Sequence, residues 1–344
     1  ISFSVMPLAM LSYQLGTPQA LSQADVSGYL SQPALKVSLA ALKREEPKET
    51  LPQRNIDVAD LVLSPAEALA WDFKQGITLF SKNTLETRPI ASLTKLVTAA
   101  VALDYAQPQE TVAISLKAVR TEGDSGNLRE GEVLTVYDLL AAAMLVSSND
   151  AAYALAEYVG SKMTTTEPDQ QAPADPVKVF VRVMNQKFND LGLVQTNFTD
   201  PSGLEDKISF STAEDLSRFI KYLRLNSNYS PIWNILKMTS YQTKAQNGVA
   251  WHEFKNTNPF LGEFDGVIGG KTGYTPAALG NMMLVMTGPN NTEIIYLVLG
   301  SVDRFGDIRK MMLSGASILK IAYLNRAFKN VFTPVIRLDI QNSR

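Results

Sequence analysis

Past an irregular start, hydrophobic and polar positions change period three times along the chain. From Gln14 to about Asp60 the sequence is polar and broken, and no period persists. Past Leu61, two short apolar-rich runs, Ala66 to Phe73 and Ile77 to Ser81, flank Lys74-Gln75-Gly76. This is the pattern of a strand, a tight turn and a strand. Pro89 ends the extended chain and introduces a helix from about Ser92 to Tyr105. Helical spacing then dominates. Thr135 to Val146 carries Leu139, Leu140, Ala143 and Met144 as its apolar stripe, and Asp150 to Val159 and Val177 to Leu191 follow. Ser211 with Glu214 three residues on has the form of a capping box and opens a further helix. Pro231 to Met238 is a short one. Period two then returns over Gly266 to Thr272, Asn281 to Thr287 and Glu293 to Ser301, with Gly-Pro-Asn-Asn at 288–291 as the turn between the last two strands. A final helix runs from about Phe305 to Ala327. Two early strands and three late ones, with helices between, predict an α+β fold. One antiparallel five-stranded sheet is flanked by helices, and the helical middle forms a mainly helical subdomain on one side of it.

At 344 residues the chain suits one large domain with appendages. The organisation reads as residues 1–60, an N-terminal apolar segment and polar linker; 61–327, the folded domain; and 328–344, a C-terminal tail. The apolar start, Ile1 to Leu11, is too short to span a bilayer. It fits the end of a signal peptide or anchor whose first part is missing, and equally an apolar arm packed on the domain. Residues 35–43 hold a short helical pattern before the charged run Lys43-Arg44-Glu45-Glu46-Pro47-Lys48-Glu49. Formal net charge is −2, without a basic run interleaved with aromatics, so nucleic acid is not an expected partner. With no cysteine there is neither a disulfide framework nor a thiolate zinc site. His252 is the single histidine, so a multi-histidine metal site is excluded and a Ser-His-Asp triad would rest on that residue alone.

The first candidate chemistry is therefore not imidazole-based. Ser92 opens a helix and Lys95 stands three residues on, on the same face. A serine hydroxyl is a weak nucleophile until a base takes its proton. A lysine buried beside it supplies both proximity and a neutral amine. Ser92 is the candidate acylating nucleophile and Lys95 its base. Ser147-Ser148-Asn149 forms a second signal in a tight loop between two helices. Ser147 there could relay a proton and Asn149 could bind a substrate amide, although both types are also common helix caps. Gly269-Gly270-Lys271-Thr272-Gly273-Tyr274 is the third, in a strand pattern. Its glycines allow close approach, and a lysine and a threonine there could hold a carboxylate. The alternative is a glycine-weakened edge strand with a solvated lysine. Two decoys repeat the spacings: Ser317 with Lys320 inside the late helix, and Ser125 with Asn127 in a loop rich in glycine and acids.

Serine-lysine, serine-asparagine and lysine-threonine-glycine in this order are a motif set of penicillin-binding enzymes. From about Leu61 to Ala327 the chain resembles the D-alanyl-D-alanine carboxypeptidases, the low-molecular-mass penicillin-binding serine peptidases. The resemblance is carried by Arg88 to Lys95, Glu130 to Leu140, Ser147 to Ala152, Asn197 to Leu204, Ser211 to Leu216, Asn256 to Asn258 and Gly269 to Thr275. It implies a fold like that of the DD-peptidases and serine β-lactamases. It also implies a serine-type carboxypeptidase acting on peptidoglycan stem peptides that end in D-Ala-D-Ala, through a Ser92 acyl-enzyme that β-lactams also form. In that scheme Lys95 is the base and Ser147 returns a proton to the leaving D-alanine. Asn149 holds the acyl side, Lys271 and Thr272 hold the terminal carboxylate, and the backbone N–H groups of Ser92 and Tyr274, the latter following Gly273, receive the oxyanion. No metal or organic cofactor is implied. The expected location is extracytoplasmic, in the cell envelope, with membrane anchoring through a missing N-terminal segment as an option. A D,D-endopeptidase, a β-lactamase and a non-catalytic muropeptide-binding module are the alternatives.

Three departures stand out. Met163 to Pro176 looks like an insertion, and its Glu167 follows Asn149 too closely to match the deacylating glutamate of class A β-lactamases. Thr257 stands where some relatives carry a carboxylate-binding arginine, for which Arg304 is a candidate substitute. Residues 330–344 leave room for one strand, such as Pro334 to Ile340, and not for the second, β-rich domain of many relatives.

Overall fold

The computed structural model describes residues 62–314, apart from 124–125, 165–174 and 205–207. Five strands build the central sheet: β1 (Glu67–Asp72), β2 (Ile77–Lys82), β7 (Val267–Thr275), β8 (Leu279–Thr287) and β9 (Glu293–Ser301). Their order is β2-β1-β9-β8-β7, and every neighbouring pair is antiparallel. The late strands thus pair with the early ones through β9 and β1, as the sequence pattern predicts.

All nine residues of β9 are buried. Ile295, Leu297 and Leu299 enter the large core shared with the helices, whereas Ile294, Tyr296 and Val298 join a second cluster with Ile308, Met311 and Met312. Burial on both faces explains why β9 reads as a continuous apolar run rather than an alternating one. The second cluster lies under a helix over residues 304–314, so helices cover both faces of the sheet. Only part of the final helix expected from the sequence falls within the described residues, and the Ser317/Lys320 pair, Ser125, Glu167 and residues 1–60 and 328–344 lie outside them.

The helical subdomain is centred on α1 (Thr94–Tyr105) and α3 (Val136–Leu145), separated in sequence by β3 (Thr111–Ala113), the short α2 (Leu116–Val119) and β4 (Val133–Thr135). Nine of the ten residues of α3 are buried, as befits a helix that is apolar nearly all round. Thr135 and Asp138 close a reciprocal capping box at its start. Around this pair stand α4 (Asn149–Thr164), α5 (Pro176–Asp190), α6 (Ala213–Leu225) and α7 (Ser230–Leu236). The cap of α6 is one residue later than the sequence suggests. Thr212, not Ser211, accepts from the backbone of Asp215 at 3.0 Å, while Ser211 Oγ bonds Thr196 Oγ1 at 2.7 Å. Both serine and threonine suit the cap, and the β-bridge between Arg88 and Ser211 decides between them by holding Ser211 in extended pairing.

Two small hairpins escape the sequence pattern: β3 with β4, and β5 (Ser240–Lys244) with β6 (Trp251–Lys255). They are short, and Ser-Tyr-Gln-Thr-Lys of β5 carries little apolar signal.

Candidate active site

Ser92 lies in a single 3₁₀ turn, Ala91–Leu93, immediately before α1. A 3₁₀ turn brings residues three apart nearly into line. Lys95 Nζ donates to Ser92 Oγ at 2.7 Å and to the carbonyl of Ser202 at 2.9 Å, and the lysine is fully buried. Ala91, just ahead of the serine, has φ +47°, a left-handed conformation that a non-glycine residue holds only when its surroundings enforce it.

Those surroundings include a turn to which the sequence reading gave no role. Asp200 Oδ1 accepts from the backbone N–H of Ser202 and of Gly203, each at 2.7 Å, and from Ser202 Oγ at 2.6 Å. The turn so fixed presents the Ser202 carbonyl to Lys95. Gly203 has φ +83°, and a Cβ on it would stand 2.0 Å from the Ala91 carbonyl oxygen, so only glycine lets this turn close on the serine. Thr98 Oγ1 donates to the Pro201 carbonyl at 2.5 Å and ties the turn to α1. Asp-Pro-Ser-Gly is a readable turn sequence. That it wraps the lysine is not readable.

Ser147 connects α3 to α4 with φ +62°, and its hydroxyl accepts from Lys271 Nζ at 2.8 Å. Lys271 also donates to the Thr272 carbonyl at 2.8 Å and is buried, so it is not the solvated edge lysine of the alternative reading. Asn149 begins α4. Its Nδ2 donates to the Glu122 carbonyl at 2.8 Å, while its buried Oδ1 has no hydrogen-bond partner among the described residues. Asp150 accepts from the backbone of Gly126 at 2.9 Å and of Leu128 at 3.2 Å, which pins the loop that faces Asn149.

The third wall is β7, an edge strand of the sheet. A Cβ on Gly273 would lie 3.0 Å from the backbone nitrogen of Ser92 and 3.1 Å from the Ile90 carbonyl. The strand thus approaches the serine turn backbone to backbone. Thr272 Oγ1 lies 2.9 Å from Thr257 Oγ1, and Tyr274 is exposed. Arg304 reaches this end of β7, where Nη1 donates to the Gly273 carbonyl at 3.3 Å and the guanidinium lies 5.9 Å from the Tyr274 ring centroid. Asn281, opposite Gly273 on β8, donates to the Pro89 carbonyl at 3.2 Å and accepts from Gly300 N at 2.8 Å. One buried side chain thereby joins two sheet strands to the segment leading into Ser92.

Beneath that segment, Glu67 is buried on β1 and accepts from Ala213 N at 2.9 Å. Burial pushes its carboxyl up to about 8 despite that bond and despite Arg88 Nε at 3.5 Å, whose side chain is one-third exposed and offsets little of the desolvation.

The eight candidate residues thus lie on three segments joined through β7, where Gly273 meets the Ser92 turn and Lys271 bonds Ser147. Ser92 with Lys95, and Ser147 with Lys271, are each in direct hydrogen-bond contact. A serine bonded by a buried lysine, set beside an edge strand in an α+β fold, is the arrangement of a class of serine peptidases. The crystal structure of the Streptomyces K15 DD-transpeptidase shares this fold with TM-score 0.67 at 29% identity, over 76% of this chain and 100% of that one. The profile of the D-alanyl-D-alanine carboxypeptidase family, peptidase family S11, matches residues 56–303, and the chain belongs to that family. Among its relatives, the D-alanyl-D-alanine carboxypeptidase of Streptomyces strain K15 is 30% identical over 71% of this chain and 84% of its own length. The D-alanyl-D-alanine endopeptidase of Pseudomonas aeruginosa is 30% identical over 81% of this chain and 84% of its own length.

Proposed function

We propose that this serine peptidase removes the terminal D-alanine from peptidoglycan stem peptides through an acyl-enzyme on Ser92. The observation that carries the reading is the 2.7 Å bond between Lys95 Nζ and Ser92 Oγ, made by an amine enclosed away from water. Enclosure disfavours charged amines in general, which is the property a lysine base needs.

Ser92 Oγ attacks the carbonyl carbon between the two terminal D-alanines while its proton passes to Lys95. The carbonyl oxygen becomes an oxyanion between the backbone N–H groups of Ser92 and Tyr274. The close approach at Gly273 supports this, since it brings strand and turn together without a side chain between them. Ser147, bonded to Lys271, relays the proton taken up by Lys95 to the leaving amine as the C–N bond breaks, so that Lys95 is again a neutral amine and Ser147 keeps its hydroxyl. Lys271 and Thr272 hold the terminal carboxylate, and Asn149 Oδ1, which has no partner among the described residues, takes an N–H on the acyl side. Water then cleaves the ester, releases the shortened peptide and restores Ser92. A β-lactam presents a strained version of the same amide and acylates the same oxygen.

An endopeptidase reading has its own support. The match to the Pseudomonas aeruginosa endopeptidase extends over 292 residues, against 253 for the Streptomyces carboxypeptidase. Thr257 in place of an arginine also leaves fewer cations for a free terminal carboxylate. Action on peptidoglycan fits an extracytoplasmic location, in the cell envelope. Among the described residues no helix is long and apolar enough to cross a membrane.

Fluorescent penicillin labelling tests the nucleophile. The wild type is expected to take label and Ser92→Ala none; equal labelling of the two would refute the assignment. Comparing D-alanine release from a pentapeptide with cleavage of a cross-linked dimer separates carboxypeptidase from endopeptidase.

A further inference from the structure

The hairpin of β5 and β6 has two unlike faces. Its underside is fastened to the helical subdomain. His252 bonds Glu132 at 2.9 Å, Tyr241 OH donates to Asp138 at 2.8 Å, and Phe254 is buried. The loop between the strands is held as well, by Gln246 N on the Val133 carbonyl at 2.8 Å and Asn247 Nδ2 on the Gly131 carbonyl at 2.7 Å. The hairpin is therefore a fixed platform. Across its outer face the ladder pairs Lys244 with Trp251, Gln242 with Glu253 and Ser240 with Lys255. All six are exposed, and Trp251 is 59% exposed.

One indole among hydrogen-bonding side chains, with the exposed Val249 of the adjoining loop, is too little apolar surface for the centre of a protein interface. It matches the needs of a sugar polymer: a flat apolar ring for the C–H face of a pyranose, bordered by amide, carboxylate and ammonium groups for its hydroxyls and acetamides. Gln242 Nε2 and Glu253 lie 3.4 Å apart, which holds two of these groups in place along the ladder.

The face also leads to the candidate active site. Exposed and less exposed residues alternate from Trp251 through Glu253 and Lys255 to Thr257. Thr257 is anchored by its N–H on the Leu145 carbonyl at 3.1 Å and by its hydroxyl on Thr272. Trp251 stands six residues up this line, about 20 Å away at the rise of an extended chain. An extended stem peptide of about five residues spans roughly 17 Å, a comparable length.

We infer that the outer face of the β5–β6 hairpin, centred on Trp251, binds the N-acetylated glycan strand from which the stem peptide hangs. The inference rests on the stem-peptide reading above. It makes the hairpin a second point of contact for polymeric substrate, irrelevant to a free peptide.

The test uses the full chain and insoluble glycan from which stem peptides have been stripped by an amidase. Wild type is expected to co-sediment with it, and Trp251→Ala to do so roughly three- to tenfold more weakly, the worth of one aromatic contact. Trp251→Phe should restore part of the binding. Turnover of a soluble, sugar-free pentapeptide should stay within about twofold, as for a surface substitution far from the chemistry, while KM on glycan-linked stems rises. Failure of wild type to pellet, or equal pelleting of Trp251→Ala, overturns the inference. So does self-association of wild type that Trp251→Ala abolishes with pelleting unchanged, which would make the face a protein contact. Absence of pentapeptide turnover by wild type would instead strike the stem-peptide reading and leave the pelleting result intact.

Discussion

A Cβ on Gly273 would stand 3.0 Å from the backbone nitrogen of Ser92, so strand β7 and the serine turn meet with no room for a side chain between them. The donors proposed for the oxyanion come from these two pieces of backbone. Gly273→Ala pushes them apart by a few tenths of an ångström. The expected result is a folded protein whose acylation by penicillin slows on the order of a hundredfold, the usual worth of a displaced oxyanion donor. Stopped-flow acylation kinetics measure it, and an unchanged rate argues against an oxyanion site at this contact.

Lys95→Ala removes the amine bonded to Ser92 Oγ. Labelling at neutral pH is expected to vanish while circular dichroism stays native. Near-normal labelling would exclude Lys95 as the base. Lys320→Ala, which removes the lysine that repeats this spacing after Ser317, is expected to label like wild type.

Asp200 acts at one remove, through the turn whose Ser202 carbonyl receives Lys95. Asp200→Ala orphans buried donors at a cost of about 1–3 kcal/mol each and lets that carbonyl drift. Acylation should slow, with its pH profile displaced because the environment of Lys95 changes. Asp200→Asn keeps an acceptor oxygen and should recover most of the rate and the profile. Loss of stability alone, with both kinetic readouts unmoved, would reduce Asp200 to a structural residue.

Glu67 gives a pH prediction. Its folded carboxyl is raised from 4.5 to about 8 by burial. The folded state therefore holds this proton more tightly than the unfolded chain. The group's contribution to stability is complete below about 4.5 and is lost as pH rises towards about 8. Glu67→Gln cannot titrate and can still accept from Ala213 N. Relative to wild type it should gain stability on going from pH 5 to pH 8, as read by urea denaturation at each pH. Parallel pH dependence of the two proteins would show that Glu67 is ionised in the fold.

The sequence by itself determined the two early and three late strands, the long helices and the three site motifs. Each of these rests on local information: hydrophobic period, turn residues and fixed short spacing. Ser92 and Lys95 are legible as a pair because three residues along one turn set their distance. The short hairpins were not legible, because strands such as β5 carry little apolar signal and are held by the surface they lie on. Nor was the cap of α6, where serine and threonine are equally suitable and a bridge to Arg88 chooses Thr212. Only the tertiary structure decided that Lys271 reaches Ser147 across 124 residues, that the Asp200 turn closes on Ala91 through Gly203, and that Asn149 Oδ1 is left without a partner among the described residues. Such contacts join elements distant in sequence. They depend on how the sheet and the helical subdomain pack around one core, which no local pattern encodes.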